Sequence, residues 1–173
     1  MHEENTGPDH GQGRLRRTLS VRGVESGALV EAWRNPEVQR QVMAEFADWL
    51  GGDAGSMRWR LHLPMDRELE VESREVGHEP GRRVRHATRS TNAHPASMEC
   101  EFFVQPAPAG RGTEAVLAVE YAMPGGVAAD MALKLFGAVP DVLAGRVLRR
   151  FKALMEAGEI PTLARNPSAR DRD

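Results

Sequence analysis

Two side chains, His86 and Tyr121, are the candidates for acid–base chemistry in this chain. Both lie in segments that alternate apolar and polar residues as strands do. His86 shares a face with Val84 and Thr88, and a neutral imidazole facing inward could act as a general base or orient a carbonyl. A register slip of one residue turns it outward beside Arg83 and Arg85, which is the orientation we expect. Tyr121, the single tyrosine, either anchors the end of its strand or hydrogen-bonds a ligand.

Other chemistries find less support in the sequence. The six histidines include no HExxH motif and no paired ligand spacing, so we expect no metal site, and no motif calls for a cofactor. Cys100, the single cysteine, excludes an internal disulfide, and it lies between Glu99 and Glu101 with no adjacent cation to activate it as a nucleophile. The glycines near position 52 lack the strand-to-helix context of a phosphate loop.

Composition limits the classes of protein that the chain can represent. Its 173 residues, 40% hydrophobic, suit one domain, which we place at residues 14–162 between disordered tails at 1–13 and 163–173. The net charge of -2 argues against nucleic-acid binding. No apolar run approaches the ~18 residues of a membrane span, so we expect no integral membrane contact and a cytoplasmic protein. The oligomeric state is not predicted.

Periodicity predicts the elements that must position these side chains. A strand at 15–21 precedes two short helices at 26–34 and 36–43, with Ser26 as an N-cap and a corner at the Asn35–Pro36 step. From residue 46 to residue 123 the period changes to two, which indicates six strands joined by short Gly- and Pro-containing turns. These short connections predict an antiparallel sheet of seven strands in total.

The last predicted element is a helix at 138–162 that ends near Gly158 and Pro161. Its apolar stripe comprises Leu143, Val147, Phe151, Leu154 and Met155, and its basic face, Arg146, Arg149, Arg150 and Lys152, is expected to be solvated. A curved sheet with one apolar face must be covered, and this helix is the element long enough to cover it. We therefore predict an α+β helix-grip fold, in which the sheet wraps around the C-terminal helix.

Several runs of sequence carry a resemblance to a known family. They are AWRNPEVQRQVM (32–43), GRGTEAVLAVEY (110–121), MPGG (123–126), KLFG (134–137) and RRFKALMEAGEIPT (149–162). On these runs the chain, over about residues 15–162, resembles the START-like or SRPBCC superfamily, with its polyketide cyclase/dehydrase and coenzyme-Q-binding branches. The resemblance implies a scaffold that carries lipids, quinones, hormones or polyketides.

The first functional hypothesis is binding or transport of a hydrophobic small molecule, such as a lipid, quinone or polyketide-like aromatic, between the sheet and the helix. The alternatives are a polyketide-type aromatase/cyclase or dehydratase that uses His86 and Tyr121, and a noncatalytic protein-interaction module with a filled core. Alternation in the strands and the apolar stripe of the last helix predict the residues that would line a cavity. They are Met57, Trp59, Leu61, Leu69, Val71, Met98, Phe102, Leu117, Val119 and Tyr121 on the strands, and Leu143, Val147, Phe151 and Met155 on the helix.

Overall fold

A computed structural model describes residues 12–63, 66–91, 97–122 and 140–159. Within these ranges one antiparallel sheet of seven strands has the order β1-β7-β6-β5-β4-β3-β2. The strands are β1 Gln12–Val21, β2 Ala47–Asp53, β3 Ser56–Leu63, β4 Arg67–Glu79, β5 Arg83–Ser90, β6 Ser97–Pro106 and β7 Thr113–Ala122. The predicted α+β architecture is confirmed. The proposed tails lie outside the described residues, except that Gln12 and Gly13 belong to β1.

In the described part of the chain three α-helices accompany the sheet: α1 Ser26–Arg34, α2 Pro36–Met43 and α3 Pro140–Ala157. The bounds of α1 and α2 match the prediction, but Ser26 is not an N-cap, because Glu25 holds that position without a side-chain bond. The Asn35 side chain instead caps α2 by accepting a hydrogen bond from the Glu37 amide at 2.9 Å. No helix among the described residues is long and apolar enough to cross a bilayer.

Helix α3 ends at Ala157, before the predicted bound at residue 162, and the glycine that the sequence offers as a stop follows it in the left-handed region. Gly158 has φ +74°, and its amide donates to the Leu154 carbonyl at 2.9 Å. The buried stripe of α3, however, is rotated from the predicted one. It consists of Ala144, Leu148, Phe151 and Leu154, whereas Val147 and Met155 are only partly buried against the same core.

The basic face of α3 is not simply solvated, and that expectation was wrong. Arg150 donates from Nε to the Val42 carbonyl at 2.8 Å and from Nη2 to the Gln41 carbonyl at 3.0 Å, so it satisfies free acceptors at the end of α2. Arg146 and Arg150 both bond Glu45. These contacts fix α3 against α2, because a guanidinium can serve several acceptors at once.

Among the described residues the core consists of two apolar clusters. The first joins α1, α2 and α3 to β5, β6 and β7, and its largest fully buried side chains include Leu29, Phe102, Leu148 and Phe151. The second lies on β2, β3 and β4 and consists of Ala47, Met57, Trp59, Leu69 and Val71. Both clusters lie on the same face of the sheet, the one that α1 and α3 contact. We call this face the inner face. The opposite, outer face carries most of the arginine and glutamate residues of the strands.

Candidate site on the inner face of the sheet

Strand register places His86 at the centre of the inner face. It lies opposite Glu75 of β4 on one side and Cys100 of β6 on the other, and Cys100 in turn lies opposite Val119 of β7. A bulge in β4 follows Glu75, and it leaves Val76 outside the ladder and 55% exposed. Because side chains alternate across a strand, His86 points inward with Val84 and Thr88.

The imidazole of His86 is buried, with 7% of the residue exposed. We expected an outward orientation beside Arg83 and Arg85, and this was wrong, because His86 is buried on the same face as Val84 while Arg85 is exposed on the opposite face. Its Nε2 atom is buried without a hydrogen-bond partner among the described residues. Burial lowers the pKa of His86 by disfavouring imidazolium, and Arg34 lowers it further, while Glu75 acts in the opposite direction. The imidazole is therefore neutral near pH 7.

An ion pair beside His86 balances the local charge. Arg34 of α1 binds Glu75 through two bonds, Nε to Oε2 at 2.7 Å and Nη2 to Oε1 at 3.0 Å. This two-point geometry is the strong form of a guanidinium–carboxylate pair. Glu31 accepts from Arg34 at 3.0 Å and meets His78 Nε2 at 3.0 Å, and its pKa is lowered chiefly by the His78 bond. The negative charge nearest His86 is thus already compensated.

A row of four side chains crosses the inner face two residues along the strands from the register position of His86. It runs from Ser73 to Thr88, whose hydroxyls lie 3.0 Å apart, and then through Met98 to Tyr121. We call these four residues the polar row. Met98 is 38% exposed although it lies on the inner register. The polar row separates much of the first cluster from the second.

Tyr121 reaches across β1 at the end of this row. Its register partner is Gly13, and a Cβ atom on Gly13 would lie 2.0 Å from Cζ of the tyrosine ring. The ring therefore occupies space that any other residue at position 13 would fill. His86 and Tyr121 share the inner face, but β6 lies between their strands, so their backbones are at least ~10 Å apart. Only a molecule lying on this face could contact both.

Cys100 lies between His86 and Val119 on the same face. Burial raises the pKa of its thiol to about 12, and Glu101 adds to the effect. A thiol that stays protonated is a weak nucleophile, which is the behaviour expected from its sequence neighbours. Among the described residues no group of three or more His, Cys, Asp or Glu could hold a metal ion.

The predicted lining residues divide between the two clusters. Met57, Trp59, Leu69 and Val71 are buried in the second cluster with Leu61 packed against it. Phe102, Leu117, Val119 and Phe151 are buried in the first, where Tyr121, Val147 and Met155 are partly buried. Met98 and Leu143 belong to neither cluster, and Leu143 is half-buried.

The sequence reasoning missed the contribution of the short helices. Leu29, Val30 and Trp33 of α1 and Val42 of α2 are buried in the first cluster, as is Leu148 of α3. The spacing of Leu29, Val30 and Trp33 is that of a helix face, so an amphipathicity analysis of α1 could have found them. The polar contacts of Arg34 and Glu75 carry no such local signal, because the two residues lie 41 positions apart.

A separate groove of about 450 Å³ lies on the outer face across β1, β7, β6 and β5. Its lining includes three arginines and three glutamates: Arg14, Arg16, Arg85, Glu99, Glu101 and Glu120. Arg14 and Glu120 approach to 3.1 Å, and Arg85 and Glu99 to 3.4 Å. Because these charges compensate one another, the groove favours neither an anionic nor a cationic ligand.

Comparison with known proteins supports the fold alone. No protein-family model matches the sequence, and no curated protein matches it. A protein from Deinococcus radiodurans is 23% identical with a TM-score of 0.58 over 84% of this chain and 99% of that one. A Chromobacterium violaceum protein is 20% identical, with a TM-score of 0.57 over 84% and 98%. Major latex-like protein 151 from Panax ginseng is 12% identical, with a TM-score of 0.59 over 83% and 97%. The chain thus has a helix-grip fold.

Proposed function

We propose that the protein binds a hydrophobic small molecule on the inner face of the sheet, beside α3. The observation that carries the proposal is the exposure of Met98, a large apolar side chain on the concave side of the sheet that is 38% accessible. A filled core would have covered it. Methionine also suits a surface that must adapt to an apolar ligand, because its side chain is flexible and polarizable.

The packing narrows the proposed site to one part of the inner face. Trp33, Phe102 and Phe151 contact one another ring to ring, so this region is core and not cavity. The ligand would instead lie along the polar row, near Met98 and Tyr121, with the second cluster at its far end. Of the predicted lining residues, Met57, Val71, Met98 and Tyr121 are therefore the proposed contacts.

Binding can be tested without knowledge of the natural ligand. Native mass spectrometry of the purified full chain should show a co-purifying small molecule, and the uncharged dye Nile red should gain fluorescence on adding protein. Met98→Lys should weaken dye binding because a charge enters an apolar surface. Val76→Lys is the matched control, since Val76 is exposed in the β4 bulge. Absence of both a bound mass and a dye response in the unaltered protein would contradict the proposal.

A second candidate, acid–base catalysis of the cyclase or dehydratase type, is favoured by one observation. His86 is neutral and inward-facing, as a general base must be, and shares its face with Tyr121. The test is incubation with a linear polyketide thioester mimic, followed by mass spectrometry for a product lighter by one water. Turnover that persists in His86→Gln would exclude this role for the histidine.

A further inference from the structure

We propose that His86 recognises an uncharged oxygen function, a hydroxyl or a carbonyl, on the hydrophobic ligand. This inference rests on the proposed function and names the ligand chemistry that the same site would select. It predicts an apolar molecule with a hydrogen-bonding group partway along it, so neither a pure hydrocarbon nor a fatty acid anchored by its carboxylate would suit the site.

The imidazole of His86 has unmet hydrogen-bonding capacity. Buried polar atoms in folded proteins are nearly always paired, because a buried unpaired group loses its bonds to water. His86 Nε2 is buried, and within the part of the chain that the structure describes it has no partner. By contrast, Gln39, the other buried polar side chain of the described residues, donates from Nε2 to the Trp33 carbonyl at 2.7 Å.

The position of His86 on the sheet places it beside the polar row. On β5, His86 lies two residues from Thr88, a member of the polar row. Across β6, it lies in register with Val119. A molecule lying along the polar row would pass beside the imidazole, with Met57 of the second cluster at one end and Tyr121, which packs against the first cluster, at the other. The hydrogen-bonding group of such a ligand would therefore meet His86 in its middle and not at its tip.

The charges around His86 favour an uncharged ligand group. The groups that face His86 are Glu75 from β4, Arg34 from α1 and the Cys100 thiol from β6. Arg34 neutralises Glu75 through two hydrogen bonds, and the thiol stays protonated. A carboxylate on the ligand would place an uncompensated charge in this region, whereas an uncharged oxygen would not. A neutral imidazole can donate to a carbonyl or accept from a hydroxyl, depending on its tautomer.

Three probes with one ring system test the inference: naphthalene, 1-naphthol and 1-naphthoate. Their dissociation constants are measured by fluorescence titration with the full chain. We expect 1-naphthol to bind about tenfold more tightly than naphthalene, the usual effect of one net hydrogen bond, and 1-naphthoate to bind more weakly than 1-naphthol. His86→Phe should remove the preference for 1-naphthol while naphthalene still binds. His62→Phe, on the outer face of β3, is the matched control and should keep it.

The outcomes separate the two proposals. A preference for 1-naphthol that survives in His86→Phe overturns the role of His86 but leaves hydrophobic binding intact. Failure of the unaltered protein to bind any of the three probes overturns the proposed function and this inference together. If His86→Phe does not fold, the side-chain nitrogen resonance of His86, assigned through its backbone, provides the test in the unaltered protein. It should shift with 1-naphthol and not with naphthalene, and an unchanged resonance overturns the inference.

Discussion

Trp33 of α1 stacks face to face on Phe102 of β6, with ring centroids 4.4 Å apart and ring planes 3° apart. Phe151 of α3 meets both rings edge-on, at 5.1 Å from Trp33 and 5.2 Å from Phe102. One residue from each of three elements therefore contributes to a single aromatic contact. This contact joins α1, the sheet and α3.

Removal of the Trp33 ring should destabilise the fold strongly. Trp33→Ala should lower the free energy of unfolding by about 3–5 kcal/mol, because a large buried side chain is lost and a cavity remains between Phe102 and Phe151. Chemical denaturation followed by circular dichroism measures the loss. Trp49→Ala is the control and should cost less, since Trp49 is only half-buried where its ring meets Trp59 edge-on at 4.9 Å. Equal losses in the two variants would argue against a central role for the Trp33 stack.

The contact of Arg150 with the end of α2 should also contribute to stability. The Arg150 side chain is 17% exposed and bonds two backbone carbonyls and Glu45. Arg150→Ala should lower the free energy of unfolding by about 1.5–3 kcal/mol, the range for hydrogen bonds from a charged donor. Arg149→Ala, one residue away on the exposed side of α3, should change it by less than ~0.5 kcal/mol. Matching values for the two variants would contradict the contact.

The arginines of α3 show where prediction from sequence stops. Alternation and helical spacing are local, so they predicted the strand count, both short helices and the inward register of Met57, Trp59 and Phe102. The partners of Arg150 lie more than 100 positions away in sequence, and no local pattern encodes them. From the sequence alone a basic helix face is therefore expected to be solvated, and only the structure shows that this one packs against α2.

His86 illustrates a second limit. Its orientation depends on the register between β4 and β5, and a slip of one residue reverses it. The bulge after Glu75 adjusts that register, and a bulge has no clear signature in this stretch of sequence. The division of the inner face into an aromatic core and a polar row likewise depends on the stacking of Trp33 on Phe102, a contact between distant residues that the helix-face spacing of Trp33 does not specify.

The buried imidazole should make stability depend on pH in a predictable direction. The pKa of His86 in the folded protein lies below its ordinary value of 6.5, mainly because burial disfavours imidazolium. Below pH 6.5 the unfolded chain therefore binds more protons than the folded one, and the free energy of unfolding falls as the pH falls. The slope from this one group can reach about 1.4 kcal/mol per pH unit.

The comparison that isolates this effect is His86→Gln against the unaltered protein between pH 7 and pH 5. The variant should show a shallower loss of stability than the unaltered protein in urea denaturation. The lowered pKa values of Glu31, Glu72 and Glu156 affect stability mainly near and below their ordinary value of 4.5, and both proteins carry these groups, so their contribution cancels in the comparison. An unchanged slope in His86→Gln would mean that the imidazole is not buried in solution.

The approach of the Tyr121 ring to Gly13 predicts a coupling between these two positions. Gly13→Ala places a Cβ atom where the ring lies, so the ring must move or the strands must separate. Because Tyr121 is the single tyrosine, its ring resonances report the movement without ambiguity. We expect these resonances to shift and the free energy of unfolding to fall in the single variant.

A double-mutant cycle separates this clash from any intrinsic effect of alanine. In the Tyr121→Ala background the obstacle is absent, and alanine is about 0.5–1 kcal/mol more favourable than glycine within a regular element. Gly13→Ala should therefore be neutral or stabilising there, which gives the cycle a nonzero coupling energy. The ring does not lie over Gly13 if the two substitutions have additive effects and the tyrosine resonances do not move in Gly13→Ala. Tyr121 would then be withdrawn as a proposed ligand contact at the end of the polar row.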